Sequence, residues 1–171
     1  MRALVTGAAG FVGSEIVHQL LAKGYDVVAT ARSVDDDGRK GRCSHLVALA
    51  AVLPGTLTLV AADLLKEGSF DEAVKGCDFI FHVASPFVLV SDDPQREILD
   101  PATLGTVNLL ASAAKESAAA RHKNRSKRPL RVVLTSSVAA VQGEYASPPK
   151  NGSLYTEEDW NVSCGEDFQR F

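Results

Sequence analysis

The sequence has 171 residues, 46% of them hydrophobic, and a formal net charge of −3. These values are typical of a globular chain of about one domain with enough apolar residues to form a core. A weakly acidic chain lacks the basic character with which proteins bind nucleic acid or an anionic membrane surface. The one basic cluster, residues 121–128, lies in a polar stretch between a predicted helix and a predicted strand, which favours a solvated loop.

The sequence also predicts where the protein resides. A strand is predicted almost from Met1, which leaves no room for a secretory leader, and no apolar run approaches the length of a membrane span. The odd number of cysteines, at unrelated spacings, indicates reduced thiols rather than a disulfide framework or a zinc site. We therefore expect a cytoplasmic protein without a metal, a membrane or a nucleic-acid partner.

The first 31 residues predict a strand, a glycine turn, a helix and a second strand. Gly7, Gly10 and Gly13 follow the apolar run 3–5 and precede an amphipathic segment at 14–23, and residues 25–31 form the second strand. In this context Gly7 permits a tight turn, Gly10 admits a pyrophosphate to the backbone, and Gly13 lets the helix pack closely on its strand. The diphosphate would lie at the positive N-terminal end of the helix, at Phe11 and Val12.

The residue after the second strand indicates the cofactor. Enzymes that use NAD place an acidic residue there for the ribose 2′-hydroxyl, whereas a 2′-phosphate requires a cation. This chain has Arg32, whose guanidinium can bind a phosphate bidentately and stack on adenine. NADP is therefore favoured over NAD. A solvated surface arginine is the alternative, and the acidic run 35–37 would oppose a phosphate if the loop folded back.

The TGxxGxxG spacing, with Thr6 before the first glycine and Phe11 after the second, resembles the extended short-chain dehydrogenase/reductases. The segments FHVASPF (81–87) and RVVLTSSVAAV (131–141) resemble the dihydroflavonol reductase and cinnamoyl-CoA reductase-like group. The resemblance implies an α/β fold, a doubly wound parallel sheet (Rossmann fold) with strand order 3-2-1-4-5, which is C-terminally incomplete. Residues 1–141 would form the NADP-binding domain, and 142–171 would lead towards an absent catalytic helix and substrate lobe. Arg39 would be a second phosphate-binding cation.

The third predicted strand, residues 56–62, reads as a buried strand and ends in a candidate adenine site. Asp63 follows it directly and can accept a hydrogen bond from the adenine amino group, while Leu64 packs on the ring. Position alone fits an N-cap equally well, but the family resemblance favours the cofactor. Next, Ser69 and Glu72 form a capping-box pattern, which predicts a short helix over residues 69–75.

The fourth predicted strand, residues 78–84, leads into the turn of Val83, Ala84 and Ser85, whose backbone would lie against the nicotinamide ribose. His82 lies within this apolar strand. A histidine in such a position is more often a core residue with satisfied hydrogen bonds than a catalytic group, and we predict the former.

Residues 94–120 predict a helix with a break at Asp100-Pro101, because proline suits a first helical turn and disrupts an interior one. The predicted inward face consists of Ile98, Leu99, Leu104, Val107, Leu109, Leu110 and Ala113. Asn108, in LGTVNLL, could face solvent. The family resemblance instead implies that it bonds backbone near the active site.

The fifth predicted strand, residues 130–136, runs into Ser137, which matches the catalytic serine of the family and would hydrogen-bond a substrate carbonyl. The family also uses a tyrosine with a lysine four residues later as general acid, the motif YxxxK. Tyr25, Tyr145 and Tyr155 are followed at that spacing by Ala29, Pro149 and Asp159, so the motif is absent.

The resemblance implies a reductase that transfers hydride from NADPH to a carbonyl group of dihydroflavonol, cinnamoyl-CoA or aldehyde type. We expect the chain alone to bind NADPH with little or no turnover. A non-catalytic dinucleotide-binding module and an NAD-dependent sugar-nucleotide epimerase or dehydratase are the alternatives. The fifth strand would be an uncovered sheet edge, which predicts self-association or disorder after Gln142.

Overall fold

The computed structural model describes residues 1–34, 41–86, 90–122, 129–142, 149 and 154–161. Its elements are, in chain order, β1 (Arg2–Thr6), α1 (Phe11–Ala22), β2 (Asp26–Ala31), α2 (Ser44–Ala50), β3 (Thr56–Ala61), β4 (Phe79–His82), a π-helical turn (Gln95–Leu99), α3 (Asp100–His122), β5 (Arg131–Leu134) and a 3₁₀ turn (Val138–Ala140). Backbone contacts divide the chain into two units, Met1–Leu134 and Thr135–Phe171. The predicted boundary after residue 141 falls within the second unit and stays a prediction.

The five strands form one parallel sheet in the order β3-β2-β1-β4-β5, which confirms the predicted topology. From β1 the chain passes first to β2 on one side and later to β4 on the other. The strand order therefore reverses between β1 and β4. Ligands of open α/β sheets bind at such a point, outside the carboxyl ends of the strands.

The central strands are buried on both faces, as expected of a parallel sheet covered by helices. Successive side chains of β1 alternate between the two faces, so Ala3 and Val5 join one core and Leu4 joins the other. The first core includes Val17, Leu20, Leu21, Val27, Ala29 and Leu46; the second includes Val28, Phe70, Ala73, Val74, Ile80, Leu109 and Ala113. This two-sided burial explains the near-continuous apolar runs in the sequence. The prediction that β3 is a buried strand was wrong, since the residues of this outer strand are only partly buried or exposed.

α3 begins at Asp100 and has Pro101 in its first turn, so a new helix starts where the sequence predicted the break. The predicted inward face was partly wrong. Leu109 and Ala113 are buried, but Leu104, Val107 and Leu110 are exposed. The helix has apolar residues on two sides, and only the side that also carries Gly105 and Ser112 packs inward.

The predicted helix over 69–75 was also wrong, because residues 64–76 form successive turns. The capping box is not formed. Ser69 Oγ instead donates to the Asp63 carbonyl at 2.6 Å and accepts from the Asp63 N–H at 3.1 Å. A bond across the preceding turn has replaced the helix cap that the local pattern predicted.

β5 lies at the edge of the sheet and its four residues are exposed, Val133 to 48% and Leu134 to 57%. A parallel strand that is bare on its outer edge retains unpaired backbone groups that can pair with another chain. Self-association through this edge stays a prediction.

Candidate cofactor-binding site

The turn between β1 and α1 has two positions at which only glycine fits. Gly7 has φ +64°, in the left-handed region, and a Cβ on it would lie 2.9 Å from the backbone of Ala84. A Cβ on Gly13 would lie 2.3 Å from the Gly7 carbonyl oxygen. Gly10 is different, since its backbone is extended and a Cβ would meet the same oxygen at 3.3 Å. The first and third glycines are therefore required by packing, whereas the second is not.

The N-terminus of α1 lies at the end of this turn and has no side-chain cap. Gly10 is the N-cap residue, and the first helical hydrogen bond runs from Ser14 N–H to its carbonyl at 2.8 Å. The backbone N–H groups of Phe11, Val12 and Gly13 precede that bond, and no acidic residue lies in the first turn. Such an end attracts an anion through its N–H groups and the helix dipole. The side chain of Phe11 is 95% exposed beside it.

Thr6 connects the glycine turn with the turn after β4. Its buried hydroxyl oxygen accepts hydrogen bonds from the backbone N–H groups of Val83 and Ala84, both at 3.1 Å. Together with the close approach of Gly7 to Ala84, these bonds set the distance between the two turns. The predicted cofactor residues at the ends of β1 and β4 are thus brought together, and Ser85 follows them as an exposed residue.

His82 is buried, with 3% exposure, and both ring nitrogens have partners. Nδ1 lies 2.8 Å from Thr6 Oγ1, and Nε2 lies 3.3 Å from Thr106 Oγ1. Burial lowers the pKa of His82 below its ordinary value of 6.5. The prediction of a satisfied core histidine therefore agrees with the structure, and Thr106 is a partner that sequence reasoning did not identify.

The turn after β3 is held by α3. The Asp63 Oδ1 atom accepts from Leu65 N–H at 2.8 Å, so the carboxylate stabilises its own exposed turn. Asn108 Nδ2 donates to the Leu64 carbonyl at 2.8 Å, which gives this asparagine the backbone-bonding role that the resemblance implied. A Cβ on Gly105 would lie 2.7 Å from the Leu64 side chain. The sequence offered a signal for Gly105 only in the GTxN pattern around Asn108.

The predicted 2′-phosphate residues lie after β2. Arg32 directly follows the strand, is exposed, and forms no ion pair with another described residue. Arg39 lies outside the described residues, as does the acidic run 35–37. The position of Arg32 at the carboxyl end of β2 is where an open α/β sheet recognises the adenosine ribose.

Ser137 belongs to the second unit, where it is an exposed, extended residue before the 3₁₀ turn. Its Oγ accepts from Ala139 N–H at 3.2 Å. In the same unit Asn161 bonds the carbonyls of Ala139 and Ala140, both at 2.9 Å. Asn161 thus fixes the backbone that follows Ser137, although it lies 22 positions after Ala139.

Two further properties concern the described part of the chain. No three His, Cys, Asp or Glu side chains in it are grouped so that they could share a metal ion. None of the helices there combines the length and the apolar character that a membrane span requires.

Comparison with known proteins supports the same fold. Residues 3–162 match the model of the NAD dependent epimerase/dehydratase family. A cinnamoyl-CoA reductase of Medicago truncatula is 42% identical over 156 residues, which cover 91% of this chain and 43% of the relative. A dihydroflavonol 4-reductase of Callistephus chinensis is 40% identical over 157 residues, or 92% of this chain and 38% of the relative.

The structural comparison agrees. The yeast methylglyoxal/isovaleraldehyde reductase Gre2, crystallised with NADPH, superimposes with a TM-score of 0.76 at 32% identity and matches 99% of this chain but 46% of the yeast one. The chain thus spans less than half the length of these relatives. Its fold is the Rossmann fold of NAD(P)-binding reductases and epimerases. The match over residues 3–162 includes the glycine turn and every strand of the sheet, and the chain belongs to the NAD dependent epimerase/dehydratase family.

Proposed function

We propose that this chain is the NADPH-binding part of a reductase that transfers hydride from NADPH to a carbonyl group of a small molecule. The observation that carries the proposal is the uncapped N-terminus of α1 at the point where the strand order reverses. This end of the helix offers backbone donors and a positive dipole to a diphosphate. The NADPH-bound yeast neighbour and the two plant reductases support a reductase rather than another use of the fold.

Different residues of this chain would bind different parts of the cofactor. The N–H groups of residues 11–13 would bind the diphosphate, and Arg32 would bind the 2′-phosphate. Asp63 and Leu64 would contact adenine, and the turn Val83, Ala84 and Ser85 would contact the nicotinamide ribose. When bound, NADPH supplies the hydride, and the protein supplies its orientation.

Ser137 is proposed to donate a hydrogen bond to the substrate carbonyl and so stabilise charge on its oxygen. The proton for that oxygen would come from a tyrosine paired with a lysine, and no tyrosine in the 171 residues has this pairing. We therefore expect NADPH binding with little or no turnover from the chain alone. The substrate carbonyl would be of dihydroflavonol, cinnamoyl-CoA or aldehyde type.

A specific observation favours NADPH over NADH. Arg32 forms no ion pair with another described residue, which leaves its guanidinium available to a phosphate. An enzyme that retains NAD, such as a sugar-nucleotide epimerase, would have an acidic residue at this point. The epimerase alternative is disfavoured because this chain has Arg32, and no acidic residue, at that position.

The test is a fluorescence titration of the chain with NADPH and with NADH, for the wild type and for Arg32→Ala. We expect the wild type to prefer NADPH. Arg32→Ala should weaken NADPH binding about 10- to 100-fold, because charge-assisted hydrogen bonds are lost, and should change NADH binding less than about threefold. The matched control is Arg42→Ala, which removes an exposed arginine at a position to which we assign no cofactor contact. Equal losses for the two cofactors would refute the 2′-phosphate assignment, and NAD that copurifies tightly would revive the epimerase.

A further inference from the structure

The hydrogen bonds around the Thr6 hydroxyl determine where its proton points. A hydroxyl group has one proton and two lone pairs. The oxygen of Thr6 accepts from two backbone donors, Val83 N–H and Ala84 N–H, so both lone pairs are used. Its third contact, the 2.8 Å approach to His82 Nδ1, must therefore be a bond that Thr6 donates.

This direction fixes the tautomer of His82. A nitrogen that accepts a hydrogen bond carries no proton, so the proton of the neutral ring is on Nε2. Nε2 lies 3.3 Å from Thr106 Oγ1, and the Thr106 hydroxyl in turn donates to the Ala102 carbonyl at 2.7 Å. In this series of hydrogen bonds each donor therefore faces an acceptor. An imidazolium would place a second proton between Nδ1 and Thr6, where no lone pair remains.

The pair lies at the place where the cofactor is proposed to bind. Thr6 and His82 are register partners on the adjacent strands β1 and β4, at the carboxyl ends where the strand order reverses. Thr6 immediately precedes the glycine turn, and His82 immediately precedes the turn that contains Val83 and Ala84. A rotation of the Thr6 side chain that moves its oxygen away would release two backbone donors of that turn.

We propose that His82, as the neutral Nε2–H tautomer, is a positioning residue for the dinucleotide: it orients the Thr6 hydroxyl, which holds the β4 turn against the glycine turn. The inference rests on the proposed function, which assigns both of these turns to the NADPH site. His82 touches neither cofactor nor substrate in this assignment. It acts through Thr6.

The first test is nitrogen-15 NMR of the histidine rings in the full chain, with His82 assigned by its loss in a His82→Asn variant. We expect an unprotonated Nδ1 and a protonated Nε2 at neutral pH, with and without NADPH. An Nδ1–H tautomer or an imidazolium would overturn the proposal. The measurement on the free chain does not depend on cofactor binding, and the variant serves only to assign the His82 signal.

The second test is NADPH affinity in a set of variants. His82→Leu removes the acceptor of the Thr6 proton and should weaken NADPH about tenfold, the loss that one misdirected hydrogen bond produces. His82→Asn can place an amide oxygen near the Nδ1 position and should bind within about threefold of wild type. Ser112→Ala removes a different buried hydroxyl of α3, which is hydrogen-bonded to the Asp71 carboxylate, and controls for a general loss of stability.

The outcomes separate the two proposals. A wild-type chain that does not bind NADPH refutes the proposed function. If the wild type binds but a folded His82→Leu binds equally well, or if His82→Asn is as weak as His82→Leu, the positioning role is refuted. Recovery in His82→Asn together with the Nε2–H tautomer supports it.

Discussion

The Thr6 hydroxyl oxygen lies 2.8 Å from His82 Nδ1 although the two residues are 76 positions apart. The contact joins the end of β1 to the end of β4 and lies in the interior, with Thr6 fully buried. Among the described residues, neither Thr6 nor His82 has a charged partner. A proton added to His82 would therefore enter a site that is built for the neutral ring, and stability should depend on pH.

We expect the free energy of unfolding to decrease as the pH falls below 6.5. Burial lowers the pKa of His82 in the folded protein. Between this folded-state pKa and 6.5, the unfolded chain therefore binds more protons than the folded one. This contribution is fully present above 6.5 and is lost as the pH falls through the folded-state pKa. Urea denaturation from about pH 7.5 to about pH 5 should give a slope of up to about 1.4 kcal/mol per pH unit. The His82→Asn variant should show a smaller slope, and an unchanged slope would contradict the prediction.

The second and third glycines of the turn should respond differently to alanine. Gly13→Ala places a Cβ 2.3 Å from the Gly7 carbonyl oxygen, which forces the backbone apart and should cost about 2–3 kcal/mol of stability. Gly10→Ala makes a tolerable 3.3 Å contact and should cost less than about 1 kcal/mol, yet it should weaken NADPH binding because a methyl group obstructs the approach to the helix end. Urea denaturation and NADPH titration of both variants check this. Equal stabilities would contradict it.

The exposed edge strand β5 should mediate self-association. Val133 is 48% exposed on the outermost strand, and a lysine there should oppose edge-to-edge pairing. We expect sedimentation velocity to show concentration-dependent association of the wild type that Val133→Lys reduces. Thr58→Lys, on the opposite edge strand β3, is the matched control and should have a smaller effect. A wild type that remains monomeric at all concentrations, with a tail after residue 142 protected in hydrogen exchange, would contradict the prediction.

Cys77 should be unreactive in the folded protein. Burial raises the pKa of its thiol to about 11, and the sulfur donates to the Ala73 carbonyl at 3.4 Å. Because the thiolate is the reactive form, alkylation by iodoacetamide at about pH 8 should be much slower in the native protein than in urea. Mass spectrometry of the peptide that contains Cys77 measures both rates. Equal rates would show that this part of the core opens readily.

The features that depend on neighbouring residues could be predicted from the amino-acid sequence. The apolar runs and the glycine spacing predicted the five strands and the turn at α1, since strand formation and backbone freedom are local properties. The position of Pro101 predicted where α3 begins for the same reason. The order of the strands followed from the family resemblance. NADP as the cofactor was predicted from one residue, Arg32, at a position that the strand pattern defines.

The surfaces that those elements present, and the distant groups that they bond, depend on how the elements pack together. Leu104, Val107 and Leu110 satisfy a helical periodicity, but the sheet covers only one side of α3. Ser69 has a capping pattern, but its hydroxyl finds Asp63 across a turn. Gly105 is required because Leu64 packs there, 41 residues earlier in the chain. The tautomer of His82 likewise depends on backbone donors that reach Thr6 from the turn after β4. Contacts of this kind come from the packing of separate elements, and a periodicity within one element carries no information about its neighbour.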